Sequence, residues 1–384
     1  MTFQALGFRF VVDAADGRVG ALLAELYALC RLDVVAADAG TPIHRFVVDG
    51  PLGGRVHLAL DDEPLLVDAD DALLVPTIAW AVNQRAVASV DDAVLVHAGA
   101  VATGGRAVLL VGGSGAGKTT LTARLVADGH DYLTDEAVPF DAAAGIVAPY
   151  PKPLKLEVGA APLFPDAVAT ALGAAAPAPD GSVQVAPAWL RADVATGAAR
   201  PVLVLAIDHE AGAPTHDEPL SRAAMLVHLA QQSFNLGTLG ARGFANLATL
   251  AARCACHRLR PGPLDVASAR VSALLAQEPT PAPDHRVETI ASDASRGDRP
   301  RPRGGLVVAR LDGEVAILDD AARRAHHLNR SASAVWEACD GTGDAAAIAA
   351  RLADRFGADP AVVRHDVDEV LGDLAAAGVL VGTD

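Results

Sequence analysis

The sequence predicts an α/β protein: a β-rich N-terminal region, a central α/β domain, and a small winged-helix-like C-terminal module. Three observations carry this reading. Short β-like runs, separated by turns rich in Gly, Pro and Asp, fill residues 1–90. Residues 112–119 read Gly-Gly-Ser-Gly-Ala-Gly-Lys-Thr between an apolar strand and a helical stretch. A hairpin signal and three amphipathic helical patterns follow a proline-rich break.

In the first region, Phe8–Val12 and Arg45–Val48 read as strands, and Leu73–Ala88 reads as a core helix. Asn83, Gln84 and Arg85 interrupt that helix, so it is no membrane span. The second domain is expected over 91–277. Its elements are buried strands at Ala93–His97 and Arg106–Val111, a helix at Thr119–Ala127 ended by Gly129, and a strand at Ala137–Phe140. The run from Gly173 to Pro187 reads as a surface loop, and Pro201–Ile207 as a strand. Helical stretches follow at Ser221–Gln232, Gly243–Cys256 and Asp265–Gln277. Residues 278–303 lack periodicity and are rich in proline, so a linker is expected there. The last module, 304–384, opens on Leu306–Leu311 and Glu314–Leu318 around Asp312-Gly313. Helices are expected at Ser331–Ala338, around Ile348, Leu352 and Phe356, and from Val363 to Leu374.

Composition narrows the function. Lys plus Arg number 31 against 47 Asp plus Glu, a formal charge of −16, which argues against nucleic acid as a partner. The N-terminus lacks the basic start of a signal peptide, and no membrane partner is expected. Cys30, Cys254, Cys256 and Cys339 are too scattered for a disulfide framework, and the Cys254-x-Cys256 pair lacks metal-ligand spacing. A reducing cytoplasm is the expected compartment. Lysine occurs only at Lys118, Lys152 and Lys155, so each one invites a question.

Lys118 has an answer in its neighbours. Gly112, Gly113, Ser114, Gly115, Ala116, Gly117, Lys118 and Thr119 satisfy the P-loop pattern, and Thr120 continues it. Glycines let backbone amides turn toward phosphate oxygens, and the helix presents its positive N-terminal end to the anion. Lys118 is expected at the β- and γ-phosphates of a nucleotide, and Thr119 at Mg²⁺; the loop alone leaves an NTPase, a GTPase, a kinase and a transporter subunit open. Asp135-Glu136 follows sixteen residues after Thr119. The chain has no Asn-Lys pair for a guanine signature, and only Tyr132-Leu133 precede the acids where a Walker B strand needs a longer apolar run. Adjacent acids suit a division of labour between taking a hydroxyl proton and holding the metal. His97, on the strand before the loop strand, is the remaining candidate.

His97-Ala98-Gly99-Ala100-Val101, the Gly112–Thr119 loop and Gly129-His130-Asp131-Tyr132-Leu133-Thr134-Asp135-Glu136 resemble, in order, the HPr kinase/phosphorylase-like serine kinases over residues 90–275. The resemblance implies a PEP-carboxykinase-like P-loop kinase core on a mixed sheet. It implies Asp135 as the base for a serine hydroxyl, Glu136 at the metal, and His97 beside the base and phosphates. Glu136 stands where the enzymes proper carry a second Asp, and the Arg-Gly-Leu-Gly signature is missing. These departures point to the branch that includes lasso-peptide kinases. Leu306–Leu380 resembles PqqD, the precursor-peptide recognition module, through the Asp312-Gly313 hairpin, Leu328-Asn329-Arg330-Ser331-Ala332 entering Val335-Trp336, and the closing Leu374–Leu380 segment. In that family a leader peptide adds a strand to the exposed edge of the hairpin, against the third helix. Asp366, Asp368, Glu369 and Asp373 on that helix disfavour a DNA-binding winged helix.

The expected function is ATP-dependent phosphorylation of a Ser or Thr hydroxyl on a ribosomally made precursor peptide whose leader is held by 304–384. Two alternatives stay open: a nucleotide-gated peptide chaperone without transfer, and a kinase for free serine or another small hydroxyl compound. The resemblance admits other peptide-maturation enzymes and a second copy of the chain as partners. Lys152 and Lys155, downstream of the acids, read first as solvated surface and second as contacts for phosphate or an acidic peptide.

Overall fold

The computed structural model describes residues 1–32, 41–174, 176–210, 212–278, 284–291 and 299–382. Contacts divide the chain into two units, 1–218 with 257–279, and 219–256 with 280–384. Among the described residues no helix is long and apolar enough to cross a membrane.

The first unit begins with a five-stranded sheet in the order β1 (Thr2–Ala5), β2 (Phe8–Ala14), β3 (Ile43–Asp49), β4 (Arg55–Leu60), β5 (Glu63–Asp70). Helices α1 (Gly17–Leu26) and α2 (Leu74–Ala88) share its core, where Phe3, Phe8, Phe10, Tyr27 and Phe46 are buried with Ile78 and Val82. Tyr150, from much later in the chain, is buried in the same cluster.

A mixed sheet follows: β6 (Val94–Thr103), β7 (Arg106–Val111), β8 (Asp131–Thr134), β9 (Ala137–Asp141), β10 (Ile146–Val147), β13 (Arg200–Ile207), β14 (His216–Pro219) and β15 (Ala255–Arg260). Its order is β10-β9-β6-β7-β13-β15-β14, and β8 also pairs with β6. β6 runs antiparallel to β7, β8 and β9, whereas β7 and β13 are parallel. β6 and β7 are apolar on both faces, as strands covered on both sides must be. The run expected as a loop from Gly173 contains a strand, β12 (Ser182–Val185), paired with β11 (Leu154–Glu157). Its Val183 and Val185 alternate inward, a pattern that the surrounding Ala and Pro mask in the sequence. Helices α3 (Lys118–Ala127), α4 (Asp166–Ala174), α5 (Pro187–Leu190) and α8 (Leu264–Leu275) complete this unit, and α8 packs on α3.

The second unit holds a four-stranded sheet in the order β16 (Arg286–Thr289), β18 (Val307–Leu311), β19 (Glu314–Asp319), β20 (Arg324–Leu328). A two-residue pair joins β17 (Arg301–Pro302) to β21 (Leu380–Val381). The β18–β19 turn has Asp312 at φ 54° and Gly313 at φ 80°, as its sequence predicts. Helices α9 (Arg330–Ala338), α10 (Ala345–Phe356) and α11 (Pro360–Ala376) share a core with one sheet face, in which Val308, Val315, Ile317, Trp336, Ile348 and Leu371 are buried. Asn329, Asp344 and Asp359 cap the three helices through their side chains.

The other face carries Val307, Ala309, Leu311, Ala316 and Leu318, also buried. Two helices from the middle of the chain cover it. α6 (Arg222–Gln231) crosses β18, β19 and β20, and α7 (Leu236–Arg253) lies against β16 and β18. Arg222 pairs with Asp312 at 2.9 Å. These helices were expected in the central domain, and a sequence boundary at 277 does not separate them from the module. A sheet apolar on both faces needs a second layer, and α6 and α7 supply it. The expected linker also holds structure: Arg286–Thr289 is strand β16, whereas residues 279–283 of its proline run lie outside the described residues.

Candidate functional site

The glycine-rich segment joins β7 to α3. Gly117 is the N-cap of α3 at φ 84°, a left-handed conformation that favours glycine, and among the described residues no side chain caps the helix amides. Lys118 is buried, and its Nζ donates to the carbonyls of Gly112 at 2.7 Å and Gly113 at 3.0 Å. Burial pushes its ammonium below the ordinary lysine range, while the charges of Glu136 and then Asp135 oppose that shift. Both acids therefore lie within electrostatic reach of the loop lysine. Ser114 is exposed, and Ala116, Thr119 and Thr120 are half-buried at the mouth of the helix.

Strand pairing brings the next motif alongside. Asp135 and Glu136 form the bend between β8 and β9, and both of these strands pair with β6. His97 of β6 stands opposite Ala137, and the Ala98 amide donates to the Glu136 carbonyl. Gly99 follows on β6, where α3 approaches so closely that a Cβ would come 2.2 Å from Thr122 Oγ1. The order His97, glycine-rich loop, acid pair in the sequence is thus one neighbourhood of the sheet.

The acids differ in environment. Glu136 is half-buried. The Asp135 side chain is 2% exposed, and its Oδ1 accepts from Lys152 Nζ at 2.7 Å and from the Tyr132 hydroxyl at 2.9 Å. The Tyr132 hydroxyl also lies 3.0 Å from the Lys152 carbonyl, so its single proton serves one acceptor at a time. Sequence reasoning placed Lys152 at the solvated surface first, and the structure buries it in an ion pair. Only its rarity and its proline neighbours marked it in the sequence. Lys155 is half-exposed and pairs with Asp180 at 2.8 Å.

The segment carrying Lys152 is anchored from both sides. The Tyr150 amide donates to the Leu133 carbonyl, and the Tyr150 hydroxyl to Asn83 Oδ1 at 3.2 Å. Cys30 Sγ donates to the Pro151 carbonyl at 3.4 Å. Burial pushes the Cys30 thiol up to about 12, so it keeps the proton it donates, although the Lys152 charge pulls the other way.

The C-terminal sheet differs from expectation at its edges. The outer edge of the β18–β19 hairpin is not open, because Arg286–Thr289 pairs with β18 from Arg310 to Val307. The inner edge is taken by β20, a strand that the hairpin-plus-helices reading left out. The edge strands of this sheet are β16 and β20. On α11, Arg364 pairs with Asp368 at 2.8 Å on an exposed face.

This hairpin, third strand and three-helix order now meets a comparison with known families. Residues 314–380 match the family model of coenzyme PQQ synthesis protein D, PqqD. The matched segment runs from β19 to β21, so the C-terminal part carries a PqqD-type domain. PqqD domains bind precursor peptides and the maturation enzymes that act on them. The match leaves β16, β18, α6 and α7 outside. No curated protein matches the chain.

Proposed function

We propose that this protein is an ATP-dependent kinase that phosphorylates a Ser or Thr hydroxyl of a ribosomally made precursor peptide, with the leader held by the PqqD-type module. One observation carries the reading: pairing of β8 and β9 with β6 sets the Asp135–Glu136 bend within electrostatic reach of Lys118. Uncapped helix amides and a buried lysine fit a nucleotide's phosphates. Thr119 and Glu136 offer oxygen donors of the kind Mg²⁺ takes, and the ion would neutralise charge on the phosphates. Asp135 would take the proton of the substrate hydroxyl as its oxygen bonds to the γ-phosphorus. The bond from that phosphorus to the bridging oxygen breaks, and its electron pair leaves with ADP. Lys118 offsets the charge that develops on the transferred group. His97, beside the acid bend, would contact the phosphates. The leader would add to β20, the edge strand inside the matched segment, through backbone bonds.

Incubation of the full chain with Mg·ATP and its cognate precursor tests this. A phosphate added to the peptide is expected, and confirmed leader binding with no mass gain would sink the reading. The burial of Asp135 favours a second reading, a nucleotide-gated peptide chaperone that transfers nothing. Asp135→Asn separates the two, since it abolishes transfer in the kinase and leaves a chaperone unchanged.

A further inference from the structure

We infer that Lys152 is a positioning residue that holds Asp135 by one carboxylate oxygen and leaves the other to accept the substrate's proton; this rests on the kinase reading. A carboxylate whose side chain is 2% exposed needs protein donors in place of water, and Lys152 Nζ supplies one at 2.7 Å. Both donors, Lys152 Nζ and the Tyr132 hydroxyl, meet the same atom, Oδ1. Oδ2 takes neither. A carboxylate fixed by one oxygen at two donors cannot rotate freely, so Oδ2 points in one direction. The hydroxyl proton passes to Oδ2 as the new oxygen–phosphorus bond forms and the bond from phosphorus to the bridging oxygen of the departing ADP breaks, while Lys152 holds Oδ1.

Lys152 is itself held. Its Nζ donates to the Pro153 carbonyl at 3.1 Å, and its amide to the Tyr150 carbonyl at 2.9 Å. Tyr150 and Cys30 tie this strap to the core of the five-stranded sheet, Tyr150 by burial and Cys30 by its bond to Pro151. Residues 1–90 thereby anchor the strap that aims the lysine. Lys118 belongs to the loop, where its Nζ meets the Gly112 and Gly113 carbonyls and keeps a third donor for phosphate, so the two buried lysines divide the work.

The test uses the full chain, with Lys152→Met, Lys152→Ala, Tyr132→Phe, Asp135→Asn and the Lys152→Met/Asp135→Asn double variant. Lys152→Met should lower kcat for peptide phosphorylation about 100-fold with Mg·ATP affinity, by calorimetry, within threefold. Ethylamine should restore Lys152→Ala saturably, and Tyr132→Phe, which keeps the buried ring and removes the hydroxyl, should cost kcat about fivefold. Independently of activity, Lys152→Met should lower the melting temperature by about 5–10 °C, and the double variant should recover more than half of that. A wild-type chain that transfers no phosphate overturns the kinase reading, and the role of Lys152 with it. An active wild type with Lys152→Met kcat within threefold overturns this inference alone. So does a tenfold loss of Mg·ATP affinity at unchanged kcat, or melting losses that simply add.

Discussion

The mixed sheet of the first unit and the four-stranded sheet of the second present themselves in opposite ways. The mixed sheet of the first unit offers side chains and amides from loops at its strand ends: the glycine-rich turn after β7 and the acid bend between β8 and β9. The four-stranded sheet of the second unit is covered on both faces and keeps its backbone for edge strands β16 and β20. Loops place discrete charges where chemistry needs them, whereas an edge places a row of amides and carbonyls that suits an extended chain. On the proposed reading the difference explains why one chain carries both, since holding a peptide and reacting with one of its hydroxyls call for different surfaces.

If the two surfaces are separable, variants should strike one and spare the other. The largest effect is expected from Trp336→Ala, which removes a fully buried indole at the centre of the module and costs about 3–5 kcal/mol. Leader binding, followed by fluorescence anisotropy, should be lost while nucleotide affinity persists. Loss of both would break the comparison. Lys118→Met works the other way: Mg·ATP affinity should fall about 100-fold, roughly 2.7 kcal/mol, with leader affinity within twofold. Gly99→Ala sharpens the loop side. Its new methyl meets Thr122 Oγ1, a buried atom that finds no hydrogen-bond partner among the described residues, and should cost about 1–3 kcal/mol in thermal unfolding. Adding Thr122→Ala should return more than half of that loss.

The smallest effect concerns pH. His130 bridges Thr103 Oγ1 at 2.7 Å and Ser272 Oγ at 2.8 Å, and so ties β6 and α8 to the end of α3. Burial, the main cause, pushes its imidazole below the ordinary value, although Asp128 and Asp131 oppose this. The unfolded chain therefore takes up the proton first. The stability this histidine contributes is present above about pH 6.5 and is lost as pH falls below it, by at most about 1.4 kcal/mol per pH unit. Denaturant titrations at pH 7.5 and 5.5 should show the fall, and His130→Asn should flatten it. An unchanged slope in the variant would remove His130 from the account.

What was legible in the sequence follows from range. The glycine-rich turn, α3 and the Asp312-Gly313 hairpin each depend on residues within one or two turns of chain, where residue type restricts φ and ψ directly. α10 and α11 were legible for the same reason, since their apolar residues recur at helical spacing. β20 was missed because Arg-Ala-His-His-Leu shows little alternation, and it is strand only by pairing with β19. β16 was missed because a proline-rich neighbourhood hides four residues that an existing edge recruits. α7 begins at Leu236, before the expected Gly243, because the chain continues through a non-helical kink at Gly240.

The lysines draw the final line. The sequence by itself determined that Lys118 sits at the mouth of a helix behind a glycine turn, because its setting is eight consecutive residues. It determined too that Lys152 and Lys155 lie in a proline-bounded stretch. Only the tertiary structure decided that Lys152 meets Asp135, seventeen residues away, while Lys155 turns to solvent and Asp180. The same holds for the double-faced C-terminal sheet, whose second layer comes from residues 222–253. Local conformation is written in adjacent residues. Ion pairs, strand order and the covering of apolar faces depend on where distant segments arrive, and burial settles that for the chain as a whole.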